Sequence, residues 1–285
     1  MSACRICGAA SGDAVATVTA DHGTSTWVAC DGCGVHRIAP YPTAAELDAY
    51  YARGYRDSDE YAVAGFSVSR RRRYAPEYRA VLHGEYTMSM GDLGLAPGHL
   101  HAHRVLDYGC ADGMFLDFLA AGGHPPELLE GLDVSREMLA DAAAKGYKTH
   151  LGPDFEPGRD GPFDLISLWD VLEHVPSPRD TLAQLRAALA PGGRVLIQTP
   201  RIGLLAAGLR ERFEHYLPLE HLHLFPRERL EALAAEEGLA VVAARSFGAN
   251  APARHVPAPY KNAYDALAKA TDNGATQLVL LTWAG

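Results

Sequence analysis

Four of the five cysteines fall in two Cys-x2-Cys pairs, Cys4 with Cys7 and Cys30 with Cys33, and Gly8 and Gly34 follow the second member of each pair. Four thiolates at this spacing make a closed tetrahedral zinc site, with the glycines permitting the tight knuckles around it. Sulfur in every position leaves no vacancy for water, so the metal is expected to be structural; a redox dithiol is the rival chemistry. A second concentration of reactive groups is Glu214-His-Tyr-Leu-Pro-Leu-Glu-His-Leu-His-Leu-Phe225, which holds His215, Tyr216, Glu220, His221 and His223. A histidine there titrates near neutral pH and can take a proton from a hydroxyl or a carbon acid. The third set binds rather than reacts. Asp107 ends a short apolar run and precedes Gly109, Ala111 and Gly113, spaced two apart, and Asp133 ends the next such run. A dinucleotide turn is spaced Gly-x-Gly-x-x-Gly and offers amides to a pyrophosphate, which a carboxylate in this position would repel. Asp107 suits a ligand with an ammonium group, and Asp133 can accept hydrogen bonds from both hydroxyls of a ribose.

The hydrophobic pattern supplies the scaffold for these groups. Val105 and Leu106 begin a strand that turns through the small residues into a helix over 113–121. A second strand ends at Asp133, Ser135 caps a helix reaching Lys145, and 148–151 reads as a third strand. Phe163 to Leu168 is a continuous apolar run, as a strand covered on both faces should be, and it delivers Trp169 and Asp170 to the carboxyl edge of the sheet. A helix over 177–189 leads to a strand at 194–199, a helix over 226–237 to a strand at 239–244, and 277–283 reads as the last strand, antiparallel at the sheet edge. The fold class is therefore α/β: a Rossmann-like sheet of seven mostly parallel strands with helices on both faces, preceded by a small zinc ribbon.

The spacing divides the chain into a ribbon at 1–40 with hairpin strands at 14–18 and 26–29, a helical lid and linker at 41–98, and the ligand-binding domain at 99–285. Thr43 and Glu46 form a capping box for a short helix. The tyrosine-rich stretch 55–86 reads mostly as helix over the pocket mouth; Tyr61 and an inward member of the Arg70–Arg73 run, Arg70 among them, are candidate substrate contacts. His99, His101 and His103 alternate before the first strand and read as an exposed loop rather than a metal site. The Pro- and Ala-rich 250–261 is a long loop and a second lid, with a short helix at 264–270.

The blocks at 104–116, 163–176 and 189–198, with Asp133, together resemble the class I S-adenosylmethionine-dependent methyltransferases, in the family's order over roughly residues 80 to 285. The resemblance implies S-adenosylmethionine as cofactor, held by Asp107, Gly109, Ala111, Gly113 and Asp133. It places Asp154 and Phe155 near the adenine, Trp169 and Asp170 beside the cofactor, and Glu173 and His174 towards the substrate. The ribbon leader followed by a short helix is similar to a bacterial group that includes sugar and natural-product C-methyltransferases, in which the leader lies near the substrate pocket and a Glu-His pair supplies the general base. Glu220 and His221 stand at the matching place, with His174 a further catalytic candidate and His215, Tyr216 and His223 candidate substrate contacts. That group's long C-terminal domain has no counterpart before residue 285. The expected reaction is methyl transfer to a small molecule, a natural-product intermediate or activated sugar, at oxygen or carbon with His221 as base. N-methylation without a base, NAD-dependent oxidoreduction and a non-catalytic zinc-ribbon binding module are the alternatives.

Composition narrows the partners. Lys plus Arg is 26 against 35 Asp plus Glu, and the resulting net charge of −9 repels a polyanion, which disfavours nucleic acid. Hydrophobic content of 48% and charged content of 21% are those of a soluble globular protein. No segment offers ~18 uninterrupted apolar residues, and the start lacks a basic stretch followed by an apolar one. The expected place is the cytosol, without membrane contact, where thiols stay reduced and serve as ligands or core.

Overall fold

The run Phe163–Trp169 lies at the centre of a seven-stranded sheet, where burial on both faces demands its apolar pattern. The computed structural model describes residues 2–20, 23–52, 61–63, 66–68, 76–248, 263 and 266–283. In chain order, β1 (Gly12–Ala20), β2 (Gly23–Cys30) and β3 (His36–Ala39) precede α1 (Ala44–Ala52), the hairpin β4 (Tyr61–Val63) and β5 (Phe66–Val68), and α2 (Pro76–Asp92). There follow β6 (Val105–Tyr108), α3 (Met114–Ala121), β7 (Leu129–Asp133), α4 (Arg136–Ala144), β8 (Lys148–Leu151), the single turn α5 (Pro157–Asp160) and β9 (Phe163–Trp169). The chain continues through α6 (Pro178–Ala187), β10 (Leu189–Pro200), α7 (Leu204–Leu209), β11 (His223–Leu224), α8 (Arg227–Glu236), β12 (Ala240–Phe247) and β13 (Thr276–Thr282).

The large sheet runs β12-β13-β10-β9-β6-β7-β8, with parallel pairing from β10 through β8. The chain builds outward from β6 to β8 and then returns to β9, so the strand order reverses between β6 and β9. That switch point opens a crevice at the carboxyl ends, where open α/β sheets bind ligands. β13 is antiparallel to both neighbours, as expected, but it lies one strand in from the edge, which β12 occupies. Burial explains the difference: Gln277 to Leu281 are all buried, whereas Val241 and Val242 of β12 are exposed.

Period-two alternation packs both faces. Ile166, Leu168, Val195, Ile197, Val279 and Leu281 face α6 and α8 through Leu182, Leu185, Leu230 and Leu233. Leu165, Leu196, Leu278 and Leu280 face α2 and α3 through Met90, Phe115 and Leu119. Helix starts follow local chemistry: Ser135 Oγ accepts from Met138 N at 3.3 Å, and Thr43 and Glu46 close the expected capping box, Thr43 N to Glu46 Oε2 at 2.7 Å and Glu46 N to Thr43 Oγ1 at 3.2 Å.

Two expectations for the first hundred residues change. The stretch read as helix from 55 contains the β4–β5 hairpin, and the described helix begins at Pro76. The ribbon sheet is completed from outside the first 40 residues, because β11 pairs antiparallel with β3 in the order β1-β2-β3-β11. Cys4, Ile6, Cys30 and Val35 share one apolar cluster with Leu172, Phe225 and Leu230, so the ribbon's inner face is also a face of the main core. The Arg70–Arg73 run and the 250–261 loop lie outside the described residues.

Candidate active site

At the tip of β6, Asp107 is 3% exposed and accepts a hydrogen bond from Ser167 Oγ at 2.7 Å. Burial pushes its carboxyl up to about 7; the Ser167 hydroxyl opposes this and the Asp133 charge adds to it. The following turn is held left-handed at Gly109, Ala111 and Gly113, with φ of 81°, 48° and 86°. Ala111 pays in backbone strain for that conformation, as residues at ligand-binding turns often do. Gly109 is required twice over, since a Cβ there would also stand 2.4 Å from Val171 Cγ2. Gly109→Ala is expected to destabilise the fold by about 1–3 kcal/mol, read as a lower urea midpoint.

Asp133, at the tip of β7, ties two loops together: Oδ2 accepts from Ala111 N at 2.9 Å and Oδ1 from Ser135 N at 2.8 Å. A carboxylate has about four acceptor positions, so both oxygens keep capacity for ligand hydroxyls. Asp170, with φ 53°, follows β9 and is braced by Gln198 Nε2, 3.3 and 3.2 Å from its two oxygens. Trp169 packs within 4.7 Å of the Tyr86 ring and 5.0 Å of Phe115, and its buried indole N–H has no acceptor among the described residues. Arg79 of α2 bonds Asp112 and Asp117, and Lys145 reaches Asp117 at 2.8 Å, which anchors α2 over the turn. Asp154 is exposed, while Phe155, expected on the adenine face, is 5% exposed and packs inward 6.5 Å from the Phe163 ring. Its apolar ring gains more from the core than from the solvent-facing loop that carries Asp154.

Beyond Val171 the chain presents Glu173 and His174, and contact of Val171 with Gly109 sets this loop against the β6 turn. His221 comes from the distant Glu214–Phe225 block to meet them, its ring 4.8 Å from that of His174. One ligand-type atom each from Glu173, His174 and His221 all lie within 4.8 Å of one another. Glu173 is fully buried and accepts from Thr199 Oγ1 at 2.8 Å. The carboxylate grouped with His221 is thus Glu173. Glu220, the expected partner, turns its carboxylate to Tyr50, whose hydroxyl donates at 3.3 Å, and contributes its backbone oxygen to His174 Nδ1 at 2.6 Å.

Tyr216 and His223, expected to contact substrate, instead hold the ribbon to the main domain. Tyr216 is 1% exposed, with its hydroxyl 2.6 Å from His36 Nδ1 and its ring 5.0 Å from Trp27. His223 is wholly buried beside the Tyr41 hydroxyl at 3.3 Å, and burial drives it down to about 3. Such a ring stays neutral and cannot act near pH 7 as a base or cationic contact. His215 lies between the groups, its ring stacked 6.0 Å from His221 and its carbonyl bonded to that residue. Tyr61 lies in β4; Arg70 falls outside the described residues. Ser167 was missed by sequence reasoning because its strand read as wholly apolar; a lone hydroxyl in a buried strand must find a partner, and the structure supplies Asp107.

The four cysteines converge, with all four sulfurs within 4.8 Å of one another, Cys4 and Cys33 3.8 Å apart and Cys7 and Cys30 3.5 Å apart. A tetrahedron with sulfur about 2.3 Å from zinc has edges of about 3.8 Å, so the donor set fits that ion. Without an ion the Cys4–Cys33 contact lowers the Cys4 thiol and raises that of Cys33, and burial raises Cys30, so binding a metal there must displace thiol protons. A separate cleft of about 540 Å³ lies at the amino-terminal edge of the sheet, among Leu95, His99, His103, Asp164 and Arg194, away from all these groups. Among the described residues no helix is long and apolar enough to cross a membrane.

A family model described as a methyltransferase domain matches residues 69–244. The ubiquinone biosynthesis O-methyltransferase of Burkholderia cenocepacia is 31% identical over 112 residues, 36% of this chain and 47% of the relative. The corresponding enzyme of Bordetella pertussis is 27% identical over 150 residues, 50% of this chain and 61% of the relative. The chain thus spans about half the length of the curated relatives it matches. Among solved structures, a Haloferax volcanii methyltransferase complexed with the Trm112 methyltransferase activator superposes with a TM-score of 0.53 at 16% identity, covering 75% of this chain and 97% of that one. A Thermotoga maritima SAM-dependent methyltransferase, described as a possible histamine N-methyltransferase, gives 0.50 at 17% identity with the same coverages. At these identities the two structures speak for the fold.

Proposed function

Because the chain belongs to the methyltransferase-domain family, matched over more than half its residues, we propose that it moves a methyl group from S-adenosylmethionine to a hydroxyl of a small molecule, with His221 as proton acceptor. The observation that carries this reading is the pair of carboxylates at the tips of adjacent strands, Asp107 buried and Asp133 half-buried, around a turn that holds Gly109 left-handed. Asp107 suits an ammonium, Asp133 a ribose, and Trp169, whose indole N–H has no acceptor among the described residues, ends the neighbouring strand β9 at the same sheet edge. S-adenosylmethionine, when bound, supplies a methyl group already activated on a sulfonium.

The chain's own task is then alignment, exclusion of water and removal of one proton. His221 Nδ1 is engaged by the His215 carbonyl at 2.7 Å, which leaves Nε2 as the nitrogen that accepts the proton in a neutral ring. Glu173 stabilises the imidazolium that results. The O-methyltransferase relatives favour oxygen as the methylated atom; the ribbon leader favours a second reading, C-methylation of an activated sugar. We read the ribbon's four thiolates as a structural zinc site, the 1–40 segment as folding around it, and the net charge of −9 as consistent with a small-molecule substrate in the cytosol.

Calorimetry tests the reading: S-adenosylmethionine and its demethylated product should titrate, and a dinucleotide binding in their place overturns it. Affinity for the demethylated product should climb with pH between about 5.5 and 7, approaching tenfold per unit, because only ionised Asp107 attracts the ammonium and its carboxyl in the free protein titrates at about 7. Asp107→Asn should weaken binding and flatten that profile.

A further inference from the structure

Each member of the Glu173, His174 and His221 cluster is oriented by a bond on its far side. His174 Nδ1 donates to the Glu220 carbonyl at 2.6 Å, and His221 Nδ1 to the His215 carbonyl at 2.7 Å. Carbonyl oxygens only accept, so in the neutral rings both protons sit on Nδ1 and both lone pairs on Nε2. His174 Nε2 stands 3.8 Å from Glu173 Oε1, while Glu173 Oε2 takes the Thr199 hydroxyl. Histidines held by backbone carbonyls through one nitrogen, with a hydrogen-bonded carboxylate beside the other, have the supporting bonds usual around a metal ion. One ligand-type atom from each of the three residues lies within 4.8 Å of the other two, close enough for one ion to be shared among them.

We propose that Glu173, His174 and His221 bind a divalent cation of the manganese-to-zinc series, distinct from the ion of the ribbon. Two imidazoles and one carboxylate are a borderline donor set, which suits those ions better than the all-oxygen preference of calcium or magnesium. Three protein ligands leave coordination positions open, so a substrate oxygen can join them. The cation would lower the pKa of an acceptor hydroxyl placed beside the β6 turn, the proton passing to bulk buffer. This rests on the methyl-transfer reading for the identity of the acceptor, and it gives His221 a second role: proton acceptor in the ion-free protein, ligand in the loaded one.

The test uses Mn2+ alone on the full chain with its ribbon metal retained, following loss of the free-ion electron paramagnetic resonance signal. Manganese prefers oxygen and nitrogen donors to thiolates, which keeps the ribbon silent. The expected result is one Mn2+ per chain, with His174→Ala and His221→Ala each weakening uptake more than ~10-fold. Glu173→Gln, a near isostere, should do the same if either histidine variant fails to fold. No uptake at about millimolar Mn2+, or uptake undiminished in the variants that fold, overturns the ion site. The readout needs neither cofactor nor acceptor, so the two readings fail separately. Absent uptake leaves methyl transfer standing, whereas uptake with no heat from S-adenosylmethionine removes methyl transfer and keeps the ion site.

Discussion

His221→Ala is expected to cut turnover at least ~100-fold while leaving affinity for S-adenosylmethionine nearly unchanged. The asymmetry follows from placement: His221 is 5% exposed beside Glu173 and His174, whereas the proposed cofactor contacts lie on β6, β7 and the turn between Gly109 and Gly113. The residue's main-chain links need not change, because His221 N bonds to the Leu217 carbonyl at 3.1 Å whatever the side chain. A fall in kcat with intact calorimetric binding of the demethylated product separates lost chemistry from lost folding. Turnover equal to wild type would remove His221 from the reaction.

Chelation of the proposed structural zinc, or Cys4→Ser with Cys30→Ser, is expected to cut turnover at least ~10-fold by loosening the sheet that braces the His221 loop. Metal binding by such a set is worth about 10–16 kcal/mol of folding free energy, and a segment of this size has little apolar surface to replace it. The consequence reaches the cluster through hydrogen bonds. Ile38 N of β3 donates to Leu222 O at 3.2 Å, and Leu222 N donates to Glu173 O at 2.7 Å. The β3–β11 pairing and the Tyr216 to His36 bond brace the same block. When β3 unravels, the loop bearing His221 loses its support, while the β6–β7 edge keeps its own bonds from Asp133. The expected signature is a red shift of the buried Trp27 emission and at least ~10-fold lower turnover, with product-analogue binding retained. Turnover that survives with a disordered ribbon would show that β11 holds the cluster alone.

Local pattern determined much of the sheet. The seven strands stand where apolar runs and turn signals put them, Ser135 caps its helix, and the four cysteines meet as their spacing implied. These features depend on neighbours in sequence or on short repeats, which a linear reading can see. Tertiary structure decided three things. β13 entered between β10 and β12 because its apolar residues required cover on both faces. β11 crossed from the 214–225 block to complete the ribbon, so Tyr216 and His223 became packing residues. Glu173 joined the group that includes His221, because residues 48 positions apart were brought together by Leu222 N bonding to Glu173 O. Sequence adjacency does not specify which way two consecutive side chains point, whereas the backbone bonds between distant segments do. The residue types available for chemistry were set by the sequence; their partners were set by which loops the sheet edge brought into contact.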